Sequence, residues 1–310
     1  MDLENLKAFY SVARCGSFSM AADELFLTQP AVSKRVANLE DSLGTVLFDR
    51  IGKSIQLTQA GRVLLPRAEA VLNQLEDARR ALADLSGDVK GELHVATSHH
   101  VGLHKLPPVL RAFATQFPGV NLKFEFLDSE VALERVLKGI CELAVVTLAP
   151  EPVDHLEFEM LWRDRLRFVT SRESELPEST NLLSLSEAPA ILPDLSTYTG
   201  RLVKRCFDER RLPLSINMTT NYLETIKMMV SVGLGWSVLP ESMLDDNIRP
   251  LHLAGVALVR DLGVAKHSKR QLSNAAAAFL DVLRANREPH AAKTLSTEGF
   301  SAIQNTIPSK

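Results

Sequence analysis

Three cysteines in 310 residues, Cys15, Cys141 and Cys206, are too few and too scattered for a disulfide framework or a zinc spacing. No apolar run approaches the ~20 residues that span a bilayer. The start, Met1-Asp2-Leu3-Glu4, is acidic and lacks the basic region and apolar core of a secretory signal, so a cytoplasmic protein with no membrane partner is expected. Positive charge is not in excess either. The formal net charge is −3, and acidic and basic side chains nearly balance at the N-terminal end, so bulk charge does not advertise a nucleic-acid partner. Enzyme motifs are missing too: there is no Gly-x-Ser-x-Gly elbow, no His-Glu-x-x-His pair and no Gly-x-Gly-x-x-Gly turn. Gly52-Lys53-Ser54 imitates the end of a phosphate-binding loop, but Leu47 stands where that loop needs glycine. No catalytic residue, resident cofactor or metal is expected.

What remains is ordinary globular composition, 45% hydrophobic and 24% charged, in a chain long enough for two or three folding units. At the N-terminus, Leu3, Leu6, Phe9, Tyr10 and Ala13 recur at helical spacing, and Cys15-Gly16 breaks the run. Ser17 or Ser19 can cap a second helix through Ala21, Ala22 and Leu25. Thr28 caps a third, with Pro30 in its first turn, where a missing N–H costs nothing. Val32, Val36, Leu39 and Leu43 make one narrow apolar stripe, and Gly44 ends the helix. The opposite arc carries Pro30, Ser33, Lys34, Ala37 and Asn38, with Gln29 and Arg35 at its flanks.

A short helix, a tight turn and a helix with a polar outer face form the helix-turn-helix pattern, whose second helix enters the major groove N-terminus first. Gln29 is placed to bond a base edge, and Ser33, Lys34 and Arg35 to reach bases or phosphates. On these three helices alone, a small helical core with a solvated face is the favoured reading. The next residues favour the first reading: Val46 to Arg50, Ile51 to Ser54 and Ile55 to Leu57 read as strand, turn, strand. Arg50 and Lys53 at the turn suit a wing beside the groove, and a guanidinium suits a narrow, electronegative minor groove.

Ala21-Ala22, Leu25, Thr28 to Ser33, Leu39-Glu40, Gly44, Leu47 to Arg50, Leu57-Thr58 and Ala60-Gly61 resemble, in order and separation, the signature of LysR-type transcription regulators. The resemblance implies a winged helix-turn-helix over 1–58. It also implies base contact by Gln29, DNA contact by Ser33 and the neighbouring basic residues, and minor-groove contact by Arg50. Thr28, Pro30 and Lys53 complete the expected DNA-binding set.

Between Gln59 and Ser86, Leu64, Ala68, Val71, Leu75, Ala78, Leu82 and Leu85 alternate four and three apart, the spacing of a coiled-coil seam. So long a stripe needs a partner helix, and a second copy is the simplest; the alternative is packing on the chain's own C-terminal part. Pro66 interrupts the bonding early.

From residue 91, strands alternate with helices: strand 92–97, helix 106–117, strand 120–127, helix 129–138 and strand 142–147. A second series of strands 166–170, 190–192, 215–220 and 237–239 has helices 198–210 and 222–232 between them. A return strand 262–266 and a helix 274–285 close the pattern. A mainly parallel sheet with right-handed crossovers follows. The expected architecture is a winged head, a linker helix over 59–86 and a two-subdomain α/β domain like a periplasmic-binding protein over 91–287. Subdomain I covers about 91–165 and 266–287, subdomain II about 166–265, and 288–310 is read as a mobile tail.

Ligands of open α/β sheets bind beyond the carboxyl ends of the strands. Those ends carry Ser98, His99, His100, Thr147, Ser196 and Thr197, which offer hydroxyls, imidazoles and backbone donors to a small anion or carboxylate. Helix capping accounts for each serine or threonine equally well. His99, His100 and His104 invite a metal, but no carboxylate or cysteine is near them in sequence. A histidine beside an anion is preferred, and its charging near neutral pH would couple affinity to pH. Cys206 raises the alternative of a peroxide sensor, yet it lies within an expected helix with no second cysteine nearby. Pieces such as Gly233-Leu234-Gly235 with Leu239-Pro240 are also similar to LysR-type effector domains. The resemblance implies double-stranded DNA, a small effector, a homodimer or homotetramer, and RNA polymerase as partners.

Overall fold

The computed structural model describes residues 2–51, 54–83 and 87–287; the expected tail 288–310 lies outside them. The head contains α1 (Leu3–Cys15), α2 (Phe18–Glu24), α3 (Gln29–Leu43), β1 (Phe48–Ile51) and β2 (Ser54–Leu57), followed by α4 (Gln59–Ala83). Asp2 caps α1, Ser17 caps α2, and Gly16 and Gly44 close α1 and α3 at φ 63° and 65°, where a side chain would be strained. The apolar stripes meet as the sequence spacing predicts. Leu6, Phe9 and Val12 of α1, Ala21 and Ala22 of α2, and Val32, Val36 and Leu39 of α3 are buried in one core with Leu47 and Phe48.

Two residues tie the hairpin to that core. Glu40 accepts from the Leu47 and Phe48 amides at 2.7 and 3.4 Å, which pins the start of β1 to α3. Gly61 lets α4 pass so close that an added Cβ would lie 2.3 Å from the Leu47 carbonyl oxygen.

Helix α4 runs through Pro66 without a break. Its first turns belong to the head, with Ala68 buried and Leu64 and Leu65 packed against the core. Further along, the seam emerges: Val71 is 41% and Leu82 70% exposed. Leu85 lies outside the described residues.

The rest of the chain forms β3 (Gly91–Thr97), α5 (His99–His104), α6 (Leu106–Gln116), β4 (Val120–Phe126), α7 (Ser129–Leu137), β5 (Leu143–Thr147), β6 (Leu156–Ser171), β7 (Ser179–Thr180) and α8 (Leu182–Glu187). It continues with β8 (Ala190–Leu192), α9 (Tyr198–Asp208), β9 (Ile216–Thr219), α10 (Leu223–Ser231), β10 (Ser237–Pro240), β11 (Ile248–Leu253), β12 (Leu258–His267) and α11 (Asn274–Ala285). The sheet order is β4-β3-β5-β12-β6-β11-β7, with β10 also on β6 and a separate β8-β9 pair.

The expected mainly parallel sheet is corrected here. Pairing is parallel in β4-β3-β5, β8-β9 and β11-β7, but β12 runs antiparallel to β5 and β6, as do β10 and β11 to β6. The cause is connectivity. β6, far longer than the 166–170 strand expected, carries the chain from one lobe to the other, and β12 brings it back. One core gathers Leu93, Val95, Phe113, Leu143 and Phe279. Another gathers Phe168, Leu185, Phe207 and Trp236, whose indole N–H donates to the Leu185 and Ala188 carbonyls. Among the described residues, no helix is long and apolar enough to cross a membrane.

Candidate nucleic-acid interface and effector cleft

Helix α3 presents Thr28, Gln29, Pro30, Lys34, Ala37 and Asn38 as exposed residues, opposite the buried Val32, Val36 and Leu39. Thr28 holds the N-cap conformation without a capping bond from its hydroxyl. Gln29 Nε2 donates to Ser33 Oγ at 3.0 Å, so the two polar groups share one edge of the first turn. Arg35 is differently placed: its guanidinium donates to Glu4 at 3.0 Å, tying α3 to α1. Phe26, in the turn before α3, takes a left-handed conformation (φ 54°) that leaves its ring 95% exposed beside the helix. Arg50 pairs with Ile55 in the hairpin. The Arg50 side chain and all of Lys53 lie outside the described residues.

The cleft is a cavity of about 380 Å³ at the carboxyl ends of strands from both lobes. Ser98, His99, His100 and Thr147 line it from one side, and Thr197, Tyr198 and Thr199 from the other. Ser196 does not line it: it is exposed, its amide bonded to Asp194 and its carbonyl to Arg201. Thr197 caps α9, accepting from the Gly200 amide at 3.0 Å and donating to the Asp194 carbonyl at 2.7 Å, so its hydroxyl is engaged as a cap. Ser98 makes no such bond.

Sequence reasoning missed the charged base of the cavity. Arg260 on β12 is buried against Asp164 on β6, with Nε and Nη2 each 2.8 Å from Oδ2, while Nη1 donates to Thr199 at 2.8 Å. Nη2 is buried without a directed hydrogen bond. Asp128, Glu130 and Asn221 were missed as well. Asp128 and Glu130 follow β4 at the same strand-end position that singled out Ser98 and Thr147, so that signal was available. For Asp164 and Arg260 only strand register would have served.

Polar bonds join the lobes across the mouth. The Tyr198 amide and Arg201 donate to Glu130, Asn221 Nδ2 donates to Asp128 at 2.8 Å, and the His99 ring meets Tyr222 edge-on. Burial raises the Glu130 carboxyl above its usual range.

His100 does not supply the expected pH coupling. Burial, and then the Arg260 charge, push its pKa down to about 2, so it stays neutral near neutral pH. Burial likewise raises the Cys206 thiol, the opposite of what a peroxide-reactive thiolate requires. Cys206, Cys141 and Cys15 pack in three different cores.

Comparison with known proteins finds two family models in this chain. Residues 3–62 match the bacterial regulatory helix-turn-helix protein model of the lysR family, and residues 86–288 match the LysR substrate binding domain. The chain is 31% identical over 293 residues to the HTH-type transcriptional activator CmpR of Synechocystis sp., covering 92% of this chain and 96% of that one. An HTH-type transcriptional regulator from the ibpB-leuC intergenic region of Azotobacter vinelandii is 62% identical over 108 residues, 35% of this chain and 75% of the relative. Full-length CbnR complexed with its target DNA has the same fold, with a TM-score of 0.65 at 23% identity over 92% of this chain and 100% of that one. These relatives are named as regulators, not as enzymes. With a helix-turn-helix head and a two-lobed C-terminal domain in one chain, this protein belongs to the LysR family of DNA-binding bacterial transcription regulators with an effector-binding domain.

Proposed function

We propose that residues 1–58 read duplex DNA and 59–86 pair two chains. We read 91–287 as the holder of a small anion, most simply a carboxylate, whose binding alters the assembly and hence transcription. Two reading heads on a paired stalk match an interrupted inverted repeat, and a tetramer places two such pairs on adjacent sites. CbnR, a protein of the same fold, has been solved in complex with its target DNA, which supports a DNA-reading role here. Thr28, Gln29, Pro30, Ser33, Lys34, Arg50 and Lys53 are the DNA-binding residues in this reading. Arg35 contributes once its bond to Glu4 opens. RNA polymerase is the downstream partner, and the cytoplasm is where all of these meet.

The observation that carries the effector reading is the buried Arg260 at the base of the cavity. Its guanidinium, paired with Asp164 and bonded to Thr199, is the one arginine or lysine among the residues lining the cavity, and it favours an acidic group there. Ser98, His99, His100 and Thr147 flank it. Asp128 and Glu130 at the same cavity favour an effector with hydroxyl or amino groups beyond its acidic end. A ligand shifts the assembly only by its different affinity for the two arrangements.

The test is a thermal-shift screen of the full-length chain against small carboxylates and inorganic anions. A ligand at a hundred times its Kd stabilises by ~2.7 kcal/mol. The paired substitution Asp164→Leu with Arg260→Met removes both charges together and abolishes that shift. A ligand that stabilises both proteins equally binds elsewhere. An unchanged DNA footprint with a ligand that alters transcription would reject the change in assembly.

A further inference from the structure

Helix α5 carries His100 and His104 four residues apart, so their rings share one face, with centroids 4.8 Å apart. From the other lobe, α10 supplies Glu224 in its first turn, and Glu224 Oε1 lies 2.8 Å from His104 Nε2. One ligand atom from each of the three residues falls within 4.8 Å of the other two. His100 is the informative member. It is 5% exposed, and neither of its ring nitrogens has a hydrogen-bond partner. A buried polar group left in that state has lost its water without a replacement partner. An imidazole nitrogen without a hydrogen bond has a lone pair to offer a metal.

We infer that His100, His104 and Glu224 form a binding site for one divalent transition-metal cation of the zinc class, clasped between the two lobes. Two imidazoles and a carboxylate suit Zn2+, Co2+ or Ni2+, whereas Mg2+ and Ca2+ require oxygen ligands. Zinc bonds of ~2.0–2.2 Å set tetrahedral ligand atoms roughly 3.4 Å apart. Separations of up to 4.8 Å close to that value by small side-chain rotations. His104 and Glu224, 38% and 40% exposed, have room to make them and leave the cation a way in. The cation lies between His104 Nε2 and Glu224 Oε1, with the His104 ring proton carried on Nδ1. Water, or a group in the cleft that His100 lines, completes the coordination.

Two positive charges oppose it, since Arg260 and Lys105 both act on His100. Asp164 offsets the first, paired with Arg260 and 3.6 Å from His100 Nε2. The histidine spacing alone argues against a metal because no carboxylate stands nearby in sequence. Glu224 is 120 residues from His104, and only the closing of the lobes brings it there. A bound cation therefore favours this arrangement of α5 and α10 over any in which they part.

The full-length protein, stripped by a chelator, is titrated with Zn2+ in a calorimeter and with Co2+ by visible absorption. One Zn2+ per chain is expected, with Co2+ bands typical of a low-symmetry nitrogen and oxygen site. His104→Ala and Glu224→Gln each weaken uptake at least about tenfold. His252→Ala, at the exposed His252–Glu178 pair, leaves it unchanged. Both test positions are substantially exposed, and melting curves of the metal-free variants separate loss of the site from loss of the fold. Absence of stoichiometric uptake, or uptake that survives both substitutions, overturns the site. A chain that takes up zinc but no anion keeps this site and loses the anionic-effector reading; the converse result keeps only the latter.

Discussion

Asp164 and Arg260 face each other as direct partners in the antiparallel register of β6 and β12, the two strands that pass between the lobes. Side-chain alternation puts Asp164 on the face of Trp162, Leu166 and Phe168, and Arg260 on that of Leu258 and Leu262. Two charges thus occupy core positions, 5% and 9% exposed, at the base of the cleft.

Breaking this pair is costly because the survivor is a buried charge. Asp164→Asn is expected to destabilise by ~3–5 kcal/mol. Asp164→Leu with Arg260→Met recovers most of that loss, because no charge is left alone. Urea denaturation of the three proteins provides the measurement; a double variant no more stable than Asp164→Asn contradicts the account.

His100 makes stability depend on pH with a defined sign. Its folded pKa, about 2, lies below the unfolded value near 6.5. As pH falls below about 6.5, the unfolded chain gains a proton that the folded chain refuses. Stability is therefore full above that pH and declines toward the folded pKa, by up to ~1.4 kcal/mol per pH unit. Between pH 7 and 5.5 the parent chain should lose ~1 kcal/mol more than His100→Gln. Equal losses in the two proteins would show that His100 does not contribute.

Gln29 and Lys34 are both exposed on α3 but should fail differently. Gln29→Ala relaxes base preference, with ~1–3 kcal/mol less discrimination. Lys34→Ala weakens binding across all sequences and lowers the salt slope by about 1. Arg50→Ala should resemble Lys34→Ala. Gel shifts at several salt concentrations on matched and scrambled operators distinguish these outcomes, and an unaltered preference in Gln29→Ala would displace α3 as the reading helix.

The exposed seam of α4 predicts an assembly defect without a folding defect. Val71→Glu with Leu82→Glu places charges where a second helix would pack. Sedimentation should show single chains with a near-parental circular dichroism spectrum and weakened operator binding. Persistence of the parental sedimentation coefficient removes α4 as the pairing surface.

The head was legible in the sequence because its structure is local. Val32, Val36 and Leu39 state a helix face within two turns, Gly16 and Gly44 state where helices stop, and Thr28 to Ser33 and Leu47 to Arg50 state the family. The ion pair that Arg35 makes with Glu4 was not legible, since nothing in the spacing brings another helix's carboxylate to it.

The sequence by itself determined the helices, the wing, the two-lobed α/β pattern and the strand ends where Ser98, His100 and Thr147 stand, since periodicity and capping act between neighbours. Only the tertiary structure decided that Asp164 meets Arg260, that His100 is kept neutral, and that Glu224 arrives beside His104. Those contacts depend on strand register and on the meeting of lobes far apart in the chain. A one-residue slip of β12 against β6 would reverse them while leaving every local pattern intact.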